Sequence, residues 1–264
     1  MLLNILKQLP SRGNEPLSAK RIHLTLEAAR AAYAVRNRFV ADPQTGAVPV
    51  DHMLSDNLAR KLAARINPDR RVADLGPVPV PKKSDTVYLA VAEASGLAVS
   101  FINSIYHQFG SGIVTAKTGI NLQNRGHCFS LARGHPNVIA PGKRPLHTII
   151  PGLATRNGRP EIVFGVMGGD YQPLGHAHVI ASLLEHGLDA QAALDLPRVF
   201  FDASGLVLES GVPDVIAAEL QQMGHSLSRT PEPLGGGQII VYDHARGVLQ
   251  GASDPRKDGF AAGL

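Results

Sequence analysis

Two kinds of periodicity, separated by a stretch that has neither, limit what this chain can become. From residue 18 to residue 40 apolar side chains recur at three- and four-residue steps, with Ile22, Leu26, Ala29 and Tyr33 on one face and Ser18 placed to cap the first turn. That spacing predicts an amphipathic helix in need of a partner. A second, shorter helix is predicted from Asp56 to Arg65, ahead of Asn67-Pro68, and Ala41 to Gly46 between the two is turn chemistry. From Thr86 onward the pattern changes. Thr86 to Glu93 and Leu97 to Ile105 are apolar runs joined by Ala94-Ser95-Gly96, which predicts a hairpin. Between these regimes, residues 70–85 hold Pro77, Pro79 and Pro81 and then Lys82-Lys83-Ser84-Asp85, with no face to bury. Such a stretch predicts an exposed, extended connector, and it divides the chain into segments 1–85 and 86–264.

Further along, Leu146 to Thr155 and Arg159 to Val166 flank Asn157-Gly158, the strongest short hairpin signal in the chain. Helices are predicted at Gly175 to His186, Ala190 to Leu196 and Pro213 to Met223, the last with proline in its first turn and Gly224 as its stop. Strands return at Val199 to Phe201, Leu206 to Glu209 and Gln238 to Tyr242. Strands, then helices, then strands, joined by hairpins, give an α+β fold of layered and mainly antiparallel sheets rather than a Rossmann alternation.

Composition removes several functions. The net charge of +4 comes from Lys and Arg scattered along the chain. A nucleic-acid partner would call for a basic stripe with interleaved aromatics, and none is present. The single cysteine, Cys128, rules out an internal disulfide. No apolar run approaches the roughly 20 residues of a membrane span, and Met1 to Lys7 lacks the order of a signal peptide. The chain as given therefore reads as cytoplasmic, with any export signal lying upstream if it is a piece of something longer.

Thr86 opening a strand is ordinary by itself, because β-branched side chains suit a pleated surface. The succession of motifs after it is less ordinary: the hairpin, Phe109-Gly110-Ser111-Gly112, Thr118-Gly119-Ile120, Arg144-Pro145-Leu146-His147-Thr148, Gly165-Val166-Met167-Gly168-Gly169, and the tail Gly251 to Gly259. From about Ile22 to Gly263 this order closely resembles the catalytic half of the γ-glutamyltranspeptidase family of N-terminal-nucleophile hydrolases. The resemblance implies an αββα sandwich, incomplete on its large-subunit side, because family precursors carry a further half upstream. That half would be a partner, and self-cleavage would leave a heterodimer. No metal or organic cofactor is implied.

The resemblance also implies that the precursor cuts itself at Asp85-Thr86 and that Thr86 becomes the nucleophile. A threonine at a new N-terminus supplies both a hydroxyl and, from its own α-amine of pKa near 8, a base. Gly168 and Gly169 match the glycines whose N–H groups receive the oxyanion, and Ser104 matches a hydroxyl beside the nucleophile that assists processing. Asn124 falls in a segment that faces the substrate in the family, and a structural loop role is assigned to it here.

Departures from the family pattern bear on the substrate. Where transpeptidases grip a γ-glutamyl group with an Asn, a Gln-x-x-Asp stretch and a Ser-Ser pair, this chain has Tyr106, Arg125-Gly126-His127-Cys128 and His147-Thr148. A thiol at Cys128 cannot pair with an ammonium at neutral pH. Arg125 and His147 instead suit a small amide that carries a carboxylate and no ammonium, a pattern similar to the amidase branch of the family. The competing readings are a γ-glutamyl hydrolase or transferase, and a truncated member without catalysis. A metal site on His176 and His178 with His127 or His135 conflicts with the helical pattern there, which points residues i and i+2 apart. A thiol catalyst at Cys128 beside His127 has no visible activating partner. Gly235-Gly236-Gly237 opens no helix and so is no phosphate loop, but makes room for a neighbouring segment or the substrate. Asp254 and Arg256 are expected to form an internal ion pair.

Overall fold

The computed structural model describes residues 1–10, 15–75 and 84–263, the side chains of Ser84 and Asp85 aside. Of the connector expected over residues 70–85, positions 76–83 lie outside the described residues. The chain begins with α1 (Leu2–Leu6) and α2 (Ala19–Phe39). Ser18 caps α2 as its position predicted, accepting a hydrogen bond from the Arg21 amide at 3.2 Å. Next come α3 (Val50–Leu54) and α4 (Asp56–Ala63), the latter capped by Ser55, which accepts from the Leu58 amide at 3.2 Å.

The hairpin comes next as β1 (Ser84–Ala92) and β2 (Ala98–His107), a two-stranded antiparallel sheet. β3 (Gly152–Arg156) and β4 (Arg159–Met167) are joined through Asn157 and Gly158 at φ of 52° and 76°, the left-handed pair that a type I′ turn demands. The predicted strand from Leu146 is cut to β3 alone, because Pro151 cannot donate to a ladder; the neighbouring Ile150 amide donates instead to the Gln172 side chain at 2.9 Å. Then come α5 (Gln172–Leu184), α6 (Ala190–Asp195), β5 (Val199–Asp202), β6 (Gly205–Glu209) and α7 (Asp214–Gln222). Pro213 stands just before α7 as its N-cap rather than inside it. The chain closes with β7 (Leu227–Thr230), β8 (Gly236–Asp243) and β9 (Val248–Ser253).

β3, β4, β8 and β9 form the central antiparallel sheet, in the order β3-β4-β8-β9. A smaller sheet runs β5-β6-β7, and its β6-β7 pair is parallel. The β1-β2 hairpin lies across one face of β4 and β8. Its closeness depends on Gly165, where a Cβ would stand 2.3 Å from the Tyr88 ring. On the opposite face, α5 and α6 pack against β4 and β8, and α2 packs against α7 and β5. The described residues thus build three layers of the expected αββα sandwich. The outer face of the hairpin carries Val87, Leu89, Val91, Val99 and Phe101 into the open.

Candidate active site

β1 starts two residues earlier than its apolar run, at Ser84, so Thr86 is the third residue of the strand and not the first. The correction matters because the ladder changes register between Asp85 and Thr86: Asp85 stands opposite Tyr106, yet Thr86 stands opposite Ser104. Ile105 is the extra residue of this bulge. Tyr106 absorbs the bend at φ 78°, left-handed and unusual for a bulky side chain. Its amide is turned out of the ladder and donates to the Ser104 hydroxyl at 3.0 Å. The same oxygen accepts from the Thr86 hydroxyl at 3.1 Å. Thr86 and Ser104 are therefore brought together at the Asp85-Thr86 bond.

The end of β2 is pinned by Asn124, in the structural role assigned to it. Asn124 Oδ1 accepts from the His107 amide at 3.0 Å, so its Nδ2 is the donor to His107 Nδ1 at 2.9 Å. Neutral His107 consequently carries its proton on Nε2. Its ring stacks on Tyr106 with centroids 4.5 Å apart.

The next residues, Arg125–Cys128, form one 3₁₀ turn. Arg125 is buried and donates through Nη1 to the Thr148 hydroxyl at 3.2 Å, with its guanidinium 5.5 Å from the Tyr106 ring centroid. Arg125 Nη2 is enclosed with no hydrogen-bond partner among the described residues. Tyr106 and Cys128 share a side-chain hydrogen bond, but burial outweighs it and pushes the Cys128 thiol up. A thiol so held is protonated at neutral pH, which argues against a Cys128 nucleophile. His147 sits at the exposed rim, its Nδ1 accepting the Ile149 amide at 3.3 Å. Of the two basic groups expected around the substrate, only Arg125 is enclosed.

Gly168 and Gly169 close β4 and lead into a 3₁₀ turn, Gly169–Tyr171, that packs against β1. Their φ values of 117° and 58° call for glycine. Gly235 performs the spacing expected of its triplet: a Cβ there would meet the Met167 carbonyl at 2.6 Å, and one on Gly168 would meet Gly235 Cα at 3.0 Å. Backbone rests on backbone at this point.

Sequence reasoning gave no site role to three residues that meet at this turn: Asp170, Tyr33 and Arg36. Asp170 is buried just after the glycines; its carboxylate accepts from Arg36 Nη1 at 2.6 Å and its carbonyl accepts from the Tyr33 hydroxyl. Two of the partners lie on α2, so proximity in sequence could not reveal them. Asp170 itself, an acid adjoining Gly168-Gly169, was the available clue.

His176 and His178 do leave α5 in different directions. His176 bonds to the Gln172 carbonyl at 2.6 Å and lies against Phe164, whereas His178 lines a crevice with Arg21, Ser182 and His186 on the α2 side. The expected Asp254 to Arg256 pair forms at 3.2 Å and belongs to a larger network with Glu209 and Arg198. No helix among the described residues is long and apolar enough to cross a membrane.

In this chain Thr86 and Ser104 meet at a register break, and the turn that follows Gly168 packs against the strand that carries Thr86. The γ-glutamyltranspeptidase family profile matches the whole of the sequence, residues 1–264. The chain belongs to the γ-glutamyltranspeptidase family. It is 35% identical over 272 residues to the glutathione hydrolase-like YwrD proenzyme of Bacillus subtilis, covering 100% of this chain and 51% of that protein. It is 38% identical over 254 residues to the oxamate amidohydrolase proenzyme of Klebsiella pneumoniae, covering 93% of this chain and 47% of that one. Among solved structures, the cephalosporin acylase of Bacillus halodurans superposes with a TM-score of 0.88 at 40% identity, over 99% of this chain and 48% of the acylase. The fold is that of the N-terminal-nucleophile hydrolases, and the named relatives are enzymes: hydrolase, amidohydrolase and acylase. The γ-glutamyltranspeptidase family member described here spans about half the length of the curated relatives it matches.

Proposed function

We propose that this chain is the self-processing catalytic part of an amidohydrolase whose nucleophile is Thr86. The observation that carries the reading is the Thr86 to Ser104 hydroxyl contact of 3.1 Å at the register break, on a strand against which the Gly169–Tyr171 turn packs. In processing, the Thr86 hydroxyl attacks the carbonyl carbon of Asp85, the C–N bond breaks as the C–O bond forms, and the nitrogen takes the hydroxyl proton. Water then hydrolyses the ester, leaving a carboxylic acid on Asp85 and a free amine and hydroxyl on Thr86. That amine serves as the base when the same hydroxyl attacks a substrate amide. The N–H groups at Gly168 and Gly169 receive the developing oxyanion, where one donor is worth roughly 3 kcal/mol of barrier. The products of processing are residues 1–85 and 86–264.

The substrate class is drawn from the cluster around Tyr106. Arg125 offers an enclosed donor at Nη2, Thr148 and the rim residue His147 adjoin it, and Cys128 is a protonated thiol with no charge for an ammonium. A small amide bearing a carboxylate fits these groups, in line with the 38% identity to an oxamate amidohydrolase proenzyme. A γ-glutamyl hydrolase or transferase is the second reading, favoured by the likeness to the glutathione hydrolase-like proenzyme over the full chain. The exposed apolar face of β1 and β2 is where the relatives' other half would dock, as a partner or as chain upstream.

Thr86→Ala followed by intact-mass measurement tests the nucleophile. Wild type should become two species cut between Asp85 and Thr86, and the variant should remain whole and inactive; cleavage of the variant sinks the proposal. Turnover of oxamate-like amides against γ-glutamyl-p-nitroanilide, with the upstream half supplied, decides between the substrates. Faster release from the γ-glutamyl compound gives the second reading.

A further inference from the structure

We infer that α2, which lies upstream of the cleavage point, positions the Gly168-Gly169 turn through Asp170, with Tyr33 and Arg36 as positioning residues for the proposed reaction. The inference rests on that reading of the turn. Glycines have no side chain by which a turn can be anchored, so beyond the Gly235 backbone packed against it the turn is held through its neighbours in the chain. One such neighbour is Asp170, and both its backbone and its side chain are held by one helix. The Tyr33 hydroxyl donates to its carbonyl, and Arg36 Nη1 donates to its carboxylate at 2.6 Å.

The two holders are themselves fixed. The Arg36 guanidinium lies 4.4 Å over the Tyr33 ring centroid, and Arg36 Nε donates to Asn37 Oδ1 at 2.9 Å. Tyr33 packs against Phe201 edge-on at 5.6 Å and against Phe200 at 6.4 Å. The ion pair is mostly enclosed, with 17% of the Arg36 side chain and 8% of the Asp170 side chain exposed. Charge so placed is felt nearby: Asp170 raises both Tyr106 and Cys128, after the larger effect of burial on each.

Processing at Asp85-Thr86 would put the two ends of this link on separate polypeptides. His135 Nε2 donating to the Asn37 carbonyl at 2.8 Å, and Arg144 bonded to Asp42 at 3.0 Å, cross the same divide close by. The 1–85 segment would therefore act after cleavage as a lasting part of the catalytic machinery.

The test compares self-cleaved wild type with Tyr33→Phe, Arg36→Gln, Arg36→Lys and Asp170→Asn, using p-nitrophenyl acetate as the acyl donor. The burst of p-nitrophenolate gives the rate of acylation, peptide mass locates the acyl group, and thermal unfolding is followed in parallel. Misplacement of a catalytic group by about 1 Å costs up to about 100-fold, so Tyr33→Phe and Arg36→Gln are expected to slow Thr86 acylation roughly ten- to hundredfold. KM should change little, Arg36→Lys should restore much of the rate, and Arg36→Gln should add nothing in the Asp170→Asn background. Tyr33→Phe keeps the ring and its packing, so it carries the test if Arg36→Gln does not fold. Wild-type acylation rates in folded Tyr33→Phe and Arg36→Gln overturn the inference alone. A wild type left unacylated at Thr86, or a Thr86→Ala variant acylated as fast as wild type, overturns the reading beneath it as well.

Discussion

Arg256 and Arg125 are both largely withdrawn from water, and they differ in how completely they are answered. Arg256 gives Nε and Nη2 to the Glu209 carboxylate at 2.9 and 2.7 Å, Nη1 to Asp254 at 3.2 Å, and further bonds to the Leu194 and Leu196 carbonyls. Arg125 gives Nη1 to a neutral hydroxyl, rests on a phenol ring, and keeps Nη2 unanswered. Among the described residues it has no carboxylate within ion-pair distance. On the proposed function, Arg256 holds segments together while the spare Arg125 donor is kept for the carboxylate of a substrate.

The largest effect that could break this contrast is on stability. Arg256→Met leaves Glu209 buried without its main partner and is expected to lower the unfolding free energy by about 3–5 kcal/mol, read from urea denaturation. Arg125→Met should leave stability nearly alone and act on turnover instead. It removes a charge that nothing compensates, so stability should change by less than about 1 kcal/mol while kcat/KM for a carboxylated amide falls at least about tenfold, mainly through KM. Similar stability losses in both variants would erase the distinction. Cys128→Asp sharpens it further, by giving Arg125 a carboxylate and the site an acid for an ammonium. Turnover of γ-glutamyl-p-nitroanilide should rise relative to oxamate-like amides, and an unchanged ratio would remove Cys128 from the substrate cluster.

The smallest effect concerns a buried imidazole, His225. His225 bonds to His23 at 2.8 Å, and burial, followed by the His23 charge, lowers it from its ordinary 6.5 to about 4. The folded pKa lies below the unfolded one, so between about pH 6.5 and 4 the unfolded chain takes up a proton that the native chain refuses. The contribution of His225 is whole above pH 6.5 and declines as pH falls toward 4. Melting temperature measured across that window should drop gradually, and the drop should shrink in His225→Gln.

How much of this was legible in the sequence depended on how local the cause was. The contact between Thr86 and Ser104 was implied by the family resemblance, and the hairpin that holds both was legible from its two apolar runs and the short turn Ala94-Ser95-Gly96. The bulge just beyond them, between Asp85 and Thr86, was not legible, since it arises where Tyr106 gives its amide to a side chain. α2 was visible in its spacing, and Ser18 in its place before it. The Arg36 to Asp170 pair was invisible because the two are joined only by packing, with most of the chain between them. β7 and β9 escaped for a related reason: Leu227-Ser228-Arg229-Thr230 and Val248-Leu249-Gln250-Gly251 have little apolar alternation and become strands because a neighbouring edge accepts them. The absence of an acid at Cys128 was legible, whereas the unanswered nitrogen of Arg125 required a structure.

The register break at Asp85-Thr86 also decides what a cut at that bond would release. From Thr86↔Ser104 to Ala92↔Ala98 the pairing runs without a further shift, so a chain starting at Thr86 would keep its hold on β2 from its first residue. Only Ser84 and Asp85, paired beyond the irregularity, would come loose. A new terminus would thus appear already docked, its ammonium group at the place where the ladder had stepped aside, and the working end of the enzyme would need no refolding after birth.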